Sequence, residues 1–240
     1  MLILLPILEK YFAQKASLGW QGKHTNIVSK KFGSWLFLAE IFLPIEIHET
    51  EKEQDNCGTC NKCIDICPTN ALLKNNIIDS RRCISYLTIE YKGPIPMSLR
   101  KKIGNKVYGC DDCLSICPWN KFSTEAVEKK LISNEKLNDL NFFLNFNKKK
   151  FDNYFHNSPV KRIGWIRFLR NVIIASGNSK NKNLVNDLFQ HLENENSIIR
   201  GSCVWSLSQL LDKKSKNELK DVLLLNEKNQ YVLYELNLIG

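Results

Sequence analysis

Eight of the nine cysteines lie between Cys57 and Cys117, and their spacing constrains the chain more than any other feature. The first run, "CGTCNKCIDICP", sets Cys57, Cys60, Cys63 and Cys67 in the pattern C-x₂-C-x₂-C-x₃-C-P. The second, "GCDDCLSICP", supplies Cys110, Cys113 and Cys117 and again ends in Cys-Pro, and Cys83 stands alone between them in "RRCISYL". In this pattern the C-x₂-C-x₂-C loop wraps one face of a four-iron cubane, while the cysteine before proline reaches a neighbouring cluster. Eight thiolates are what two [4Fe–4S] clusters require. The spacing therefore predicts Cys57, Cys60, Cys63 and Cys117 on one cluster and Cys67, Cys83, Cys110 and Cys113 on the other. Zinc is the competing metal, because C-x₂-C pairs also build Cys₄ sites. The triplet spacing and the two Cys-Pro endings favour iron and sulfide. Cys203, on an apolar helical face, reads as a core residue.

The alternative use of so many cysteines is a secreted disulfide framework. It needs an export signal, and "MLILLPILEK" has a short apolar run, no preceding basic region and no small-residue cleavage site. No stretch approaches the roughly 18 apolar residues of a membrane span. Reduced thiols that hold metal point to a cytoplasmic protein without a membrane. The chain has 240 residues, 43% of them hydrophobic and 25% charged, which suits an ordinary globular protein with one or two cores. Its formal charge of +9 hints at a polyanionic partner, although many basic proteins bind no nucleic acid.

Three ranges differ in character. Residues 1–50 are apolar and basic, and within them "FGSWLFLAEIFL" reads as a buried strand or helix entered through a Gly-Ser turn. A polar linker leads to the cysteine region, 51–122, which contains a helix-like "SRRCISYLTIE" and a Gly/Pro-rich loop, "KGPIPMSL". Beyond it, 123–240 is helical in period. "SPVKRIGWIRFLRNVIIASGN" has a Pro159 start and a Gly177–Asn178 stop, and "NSIIRGSCVWSLSQLLDKK" repeats the theme. Two such units suggest a short HEAT-like array, with an ordinary helical bundle as the alternative. The expected fold is α+β: a ferredoxin-like domain with two [4Fe–4S] clusters, then an all-α HEAT-like domain.

At this point the residues resemble a known family, the epoxyqueuosine reductases. The resemblance rests on "LEKYFAQKASLGWQGKHTN", "FGSWLFLAE", "CGTCNKCIDICPTNAL", "RRCISYLTIEYKG", "GNKVYGCDDCLSICPWN" and "SPVKRIGWIRFLRNV", in the family's order. It implies an oxidoreductase that uses iron–sulfur clusters and cobalamin to deoxygenate epoxyqueuosine to queuosine in tRNA. The family also carries a C-terminal HEAT-like domain. By the same resemblance Gly22, Lys23, His24, Thr25, Asn26, Ser34 and Leu38 would line the corrin pocket, with Ser85, Tyr108 and Gly109 approaching from the cluster side. Read without the resemblance, Gly22, Gly33 and Ser34 are turn residues, and Trp35 and Phe37 are core. Two departures stand out. A long N-terminal region of the family has no counterpart, so 1–50 reads as a remnant of the cobalamin-binding domain. The family's proton-donating aspartate, three residues before the proline matched by Pro6, is here Ile3, and isoleucine carries no proton to give. The resemblance thus implies a chain shortened by truncation or by a split gene, in which no catalytic residue is identified, with an external electron donor and, in the split-gene case, a separate N-terminal polypeptide.

Between Lys148 and Arg170 stand seven basic residues against one acid, Asp152. With the resemblance, this stretch reads as a tRNA-binding face in which Lys161, Arg162, Arg167 and Arg170 contact phosphates, joined by Arg200. Without it, a solvated helix face is the plainer reading. Tyr154, Phe155 and Trp165 could stack on bases, but their spacing suits core packing. Two other function classes stay open: a ferredoxin-like electron carrier, and a tRNA-binding remnant without catalysis.

Overall fold

The computed structural model describes residues 8–46, 48, 50–51, 53–74, 76–124 and 139–239. Helices dominate among them. The strands form two antiparallel pairs, Trp20–Gln21 with Ile27–Val28 and Leu72–Leu73 with Ile77–Ile78. By its internal contacts the chain divides into two compact units, Met1–Cys83 with Asp111–Asn134, and Ile84–Cys110 with Glu135–Gly240. Ile84–Cys110 thus leaves the cysteine-rich range and groups with the C-terminal residues. The reason is apolar packing. Ile84, Leu87, Ile95, Leu99 and Ile103 are buried in one cluster with Ile174 and Trp205.

In the first unit the helix Glu9–Lys15 precedes the Trp20–Val28 hairpin, whose Trp20 and Val28 are fully buried. The turn between the strands closes through Gly22 N–H to the Asn26 carbonyl (2.9 Å), with Thr25 in the left-handed region at φ 64°. Each cysteine run forms one short helix, Lys62–Ile66 and Asp112–Ser115. Cys67 and Cys117 follow them in extended conformation, at ψ 112° and 122°. A proline disfavours the helical region for the residue before it, so each Cys-Pro turns its cysteine out of the helix. The expected buried element in "FGSWLFLAEIFL" is absent: residues 35–43 carry no regular structure, and Phe37 is 94% exposed. Its composition is that of a core segment, but most of its large apolar side chains stay exposed within the described part of this unit.

The second unit is built on the helices Gly164–Asn178 and Ser197–Leu210. Leu169, Val172 and Ile173 meet Ile199, Cys203 and Leu207 in its core, all fully buried. The two backbones approach closely at Gly177, where a Cβ would lie 2.8 Å from the Ser206 Cα. An aromatic group of Phe143, Phe146, Phe151, Phe155 and Phe168 fills one end. Arg100 and Glu235 form a buried two-pronged ion pair (2.6 and 2.7 Å) that fixes the helix Gln230–Asn237. The segment "SRRCISYLTIE" is two elements rather than one: a 3₁₀ turn, Ser80–Arg82, and a helix, Ile84–Ile89, separated by the extended Cys83.

Candidate metal centre and nucleic-acid face

The first cysteine loop starts at Cys57, whose N–H donates to Asp55 Oδ1 (2.7 Å), and turns through Gly58 at φ 52°. Lys23 holds this loop by donating to the carbonyls of Gly58 (2.8 Å) and Cys60 (2.9 Å) and to Asn61 Oδ1 (3.0 Å). Trp20 Nε1–H donates to Cys57 Sγ at 3.4 Å. The second run is brought in through Asn120. Its Oδ1 accepts from the N–H and hydroxyl of Ser34 (2.8 and 2.7 Å), and its amide donates to the Leu114 carbonyl (2.6 Å). Gly33 allows this approach: it sits at φ 72°, and a Cβ there would lie 2.9 Å from Asn120 Oδ1. Trp119 meets Trp20 edge to face at 5.0 Å.

These contacts bring Cys57, Cys60, Cys63 and Cys117 to one cavity of about 200 Å³, lined also by Lys23, His24, Asn56, Pro118 and Trp119. The three cysteines of the first loop and the last cysteine of the second run therefore face the same space. Burial pushes the Cys57, Cys63 and Cys117 thiols above their ordinary range, so their thiolates need a compensating cation. The four sulfurs ring this cavity, and thiolate is the donor that iron–sulfur clusters take. His24 is buried against this cavity. Its Nδ1 accepts the Asn26 N–H at 3.2 Å, and its Nε2 has no hydrogen-bond partner. Burial, with Lys10 nearby, lowers its pKa to about 4, so the ring is neutral.

Of the second predicted set, Cys67, Cys83 and Cys113 lie in the first unit, and Cys110 ends the Ile84–Cys110 segment of the other. Cys67 Sγ accepts the Ala71 N–H at 3.3 Å and lies 3.6 Å from the Thr69 hydroxyl. Burial opposes ionisation of Cys67, but these donors outweigh it and its pKa falls. Arg82 Nε donates to the Thr69 carbonyl (2.8 Å), tying the Cys83 turn to the Cys67 loop. Burial lowers the Lys10 pKa, opposed by the nearby Cys113, Glu9 and Cys83.

The residues assigned to cobalamin have different local settings within their own units. Lys23 and His24 face the cysteine cavity, and Leu38 lines a separate apolar cleft of about 660 Å³ with Tyr11, Phe12, Ile41 and Phe42. Ser34 is committed to Asn120. Gly22 packs on Val28, and Thr25 and Asn26 serve the hairpin turn. Ser85, Tyr108 and Gly109 belong to the second unit, where Tyr108 donates to the Pro159 carbonyl (3.2 Å) and Gly109 N–H to Thr88 Oγ1 (3.0 Å). Most of these residues thus have a structural role within their own unit. Ile3 and Pro6 lie outside the described residues.

The basic face needs correction at two positions. Arg170 is fully buried and donates to the carbonyls of Leu87 (2.7 Å), Tyr91 (2.8 Å) and Gly93, so it touches no phosphate; burial pulls its pKa down to about 10. Arg200 is half-buried in a bidentate pair with Glu227 (2.8 and 2.9 Å), which neutralises it. Arg167 donates to the carbonyls of Ile163 (2.6 Å) and Ile89 (2.7 Å). Lys161 and Arg162 are exposed, Arg162 beside Glu90, and Lys148, Lys149 and Lys150 are exposed in the same unit. Phe155 is core, Trp165 packs against it, and Tyr154 is partly exposed. The reading from sequence missed Trp20, Trp119 and Asn120 as builders of the cavity. The signal was present in "LGWQGKH" and "CPWN", where aromatic and amide residues flank the ligands.

A family model described as a 4Fe-4S double cluster binding domain matches residues 56–120. The epoxyqueuosine reductase of Vibrio cholerae is 40% identical over 210 residues, covering 87% of this chain and 57% of the relative. That of Escherichia coli K12 is 37% identical over 212 residues, covering 88% and 56%. A crystal structure of epoxyqueuosine reductase with a tRNA-Tyr epoxyqueuosine-modified tRNA stem loop superposes with a TM-score of 0.90 at 28% identity, over 99% of this chain and 64% of that one. The chain spans a little over half the length of the curated relatives it matches. By sequence and by fold, the chain is related to the epoxyqueuosine reductases and carries a 4Fe–4S double cluster binding domain.

Proposed function

We propose that this chain takes part in reducing epoxyqueuosine to queuosine in tRNA, as the cluster-bearing and RNA-facing part of the reductase. One observation carries the reading: cysteines from two distant runs line a single cavity, in a chain that matches the reductases over 87% of its length. The reaction consumes two electrons and two protons, expels the epoxide oxygen as water and leaves a carbon–carbon double bond. When bound, the clusters supply those electrons one at a time. Cys57, Cys60, Cys63 and Cys117 would hold one cluster, and Cys67, Cys83, Cys110 and Cys113 the other. Lys23 fixes the ligand loop, and Trp119 lines the cavity with Trp20 packed edge to face behind it. Lys148, Lys149, Lys150, Lys161 and Arg162 would take tRNA phosphates. We assign the fold as a ferredoxin-like cluster region followed by HEAT-like helix pairs, working in the cytoplasm with an external electron donor. Among the described residues no helix is long and apolar enough to cross a membrane.

Cobalamin is proposed from the resemblance alone, with this chain supplying at most one wall of its site. A second polypeptide matching the remainder of the relatives would cover the apolar cleft at Tyr11, Phe12, Ile41 and Phe42. The test combines the reconstituted chain, cobalamin, a strong reductant and epoxyqueuosine-containing tRNA, with and without that polypeptide, followed by mass spectrometry of the digested tRNA. Queuosine is expected when the polypeptide is present. Clusters that reduce normally without any queuosine in either mixture would overturn the reading in favour of an electron carrier.

A further inference from the structure

We infer that His24 is a hydrogen-bond donor to the cluster held by Cys57, Cys60, Cys63 and Cys117, and that its Nε2–H raises the reduction potential of that cluster. The inference rests on those four cysteines being ligands. The position of the hydrogen follows from geometry: Nδ1 accepts the Asn26 N–H at 3.2 Å, so the ring proton is on Nε2. Nε2 is buried, and it is the side-chain atom among the described residues that burial leaves without a hydrogen-bond partner. A buried N–H is rarely left unpaired, so it marks a missing acceptor. His24 lines the same cavity as the four cysteines. Its Cε1, bonded to Nε2, lies 3.5 Å from the point a Gly22 Cβ would occupy, and Cys57 Sγ lies 3.5 Å from that same point. The acceptor chemistry available in the cavity is sulfur, as thiolate or sulfide.

The physical effect has a fixed sign. Reduction adds negative charge to the cluster, and an N–H pointed at sulfur stabilises that charge, so the donor raises the potential. Trp20 Nε1–H already makes such a bond to Cys57 Sγ. His24 would supply a second donor from the turn of the same hairpin, next to the left-handed Thr25.

The experiment uses the full chain reconstituted anaerobically. Iron and sulfide are counted first, and the two midpoint potentials are then measured by EPR-monitored titration. His24→Leu should keep the iron content but shift one potential to more negative values, leaving the other in place. His24→Gln, which restores an N–H at similar reach, should return that potential towards wild type; a purely structural role would not show this split. In the wild-type chain carrying ring-¹⁵N histidine, pulsed EPR of the reduced protein should show ¹⁵N coupling. Full iron in His24→Leu with both potentials unchanged would overturn the inference, as would absence of the coupling. If His24→Leu loses its cluster, the coupling in the wild-type chain decides alone. Failure of the cluster reading is a separate result: Cys57→Ser would then retain all its iron.

Discussion

Arg162 and Arg170 stand eight positions apart in one basic stretch and do opposite work. Arg170→Ala would leave the carbonyls of Leu87, Tyr91 and Gly93 without their donor, and an unsatisfied buried group costs about 1–3 kcal/mol. Urea unfolding of this variant should show a loss on the order of 3 kcal/mol. Arg162→Gln should change stability by less than about 0.5 kcal/mol, because its pair with Glu90 is exposed. Combined with Lys161→Gln, it should flatten the salt dependence of tRNA binding, each lost phosphate contact removing about 0.7–0.9 from the log–log slope. An unchanged slope would return this face to plain solvation. Glu227 gives a pH dependence. The Arg200 hydrogen bonds lower its pKa in the folded state, so the stabilisation is complete above the ordinary carboxylate range and fades as pH falls through the lowered value. The melting-temperature gap between wild type and Glu227→Gln should therefore be open near neutrality and close in acid. Sequence spacing grouped Cys57, Cys60 and Cys63 because a ligand loop is local. It could not separate Arg162 from Arg170, since a guanidinium reads the same whether water or carbonyls surround it.

At the scale of elements, the glycines distinguish strain from contact. Gly58 and Gly33 both have positive φ, but a Cβ at Gly58 meets nothing within 4 Å, whereas one at Gly33 meets Asn120 and the Trp119 carbonyl. Gly58→Ala should cost only the left-handed penalty of about 1–2 kcal/mol. Gly33→Ala should cost more and also displace the Ser34–Asn120 junction that holds the second cysteine run, so its iron content after reconstitution should drop while that of Gly58→Ala stays near wild type. Equal iron in both would show that the junction does not matter for loading. Helix limits were readable where punctuation was strong: a helix ending at Asn178 follows from Gly177 and Asn178 closing an apolar period. "FGSWLFLAEIFL" was misread because hydrophobicity shows that a segment wants cover, not where the cover comes from. "SRRCISYLTIE" was misread because Cys83, extended at ψ 122°, breaks a period that the flanking residues continue.

At the scale of the molecule, two clusters should appear as about eight iron and eight sulfide per chain. Cys83→Ser should lose close to half of the iron, because that cysteine lies outside both dense runs; stoichiometric zinc without labile sulfide would end this reading. The partition of the chain was the least legible feature, since Ile84–Cys110 is sorted by contacts with Ile174 and Trp205, far away in sequence. Its consequence concerns biogenesis. Neither unit is one continuous stretch, since each takes up the chain again after the other has begun. A ribosome therefore releases Cys67 and Cys83 well before Cys113 and Cys117 exist, and the early thiols must wait, open to oxygen and stray metals, until Asp111 onwards has been made. No single proteolytic cut can free either unit whole, and a fragment limited to 51–122 would carry Ile84–Cys110 with its apolar partners stripped away. Cluster insertion should accordingly follow completion of the chain, and expression of the isolated cysteine region should yield aggregates with little iron.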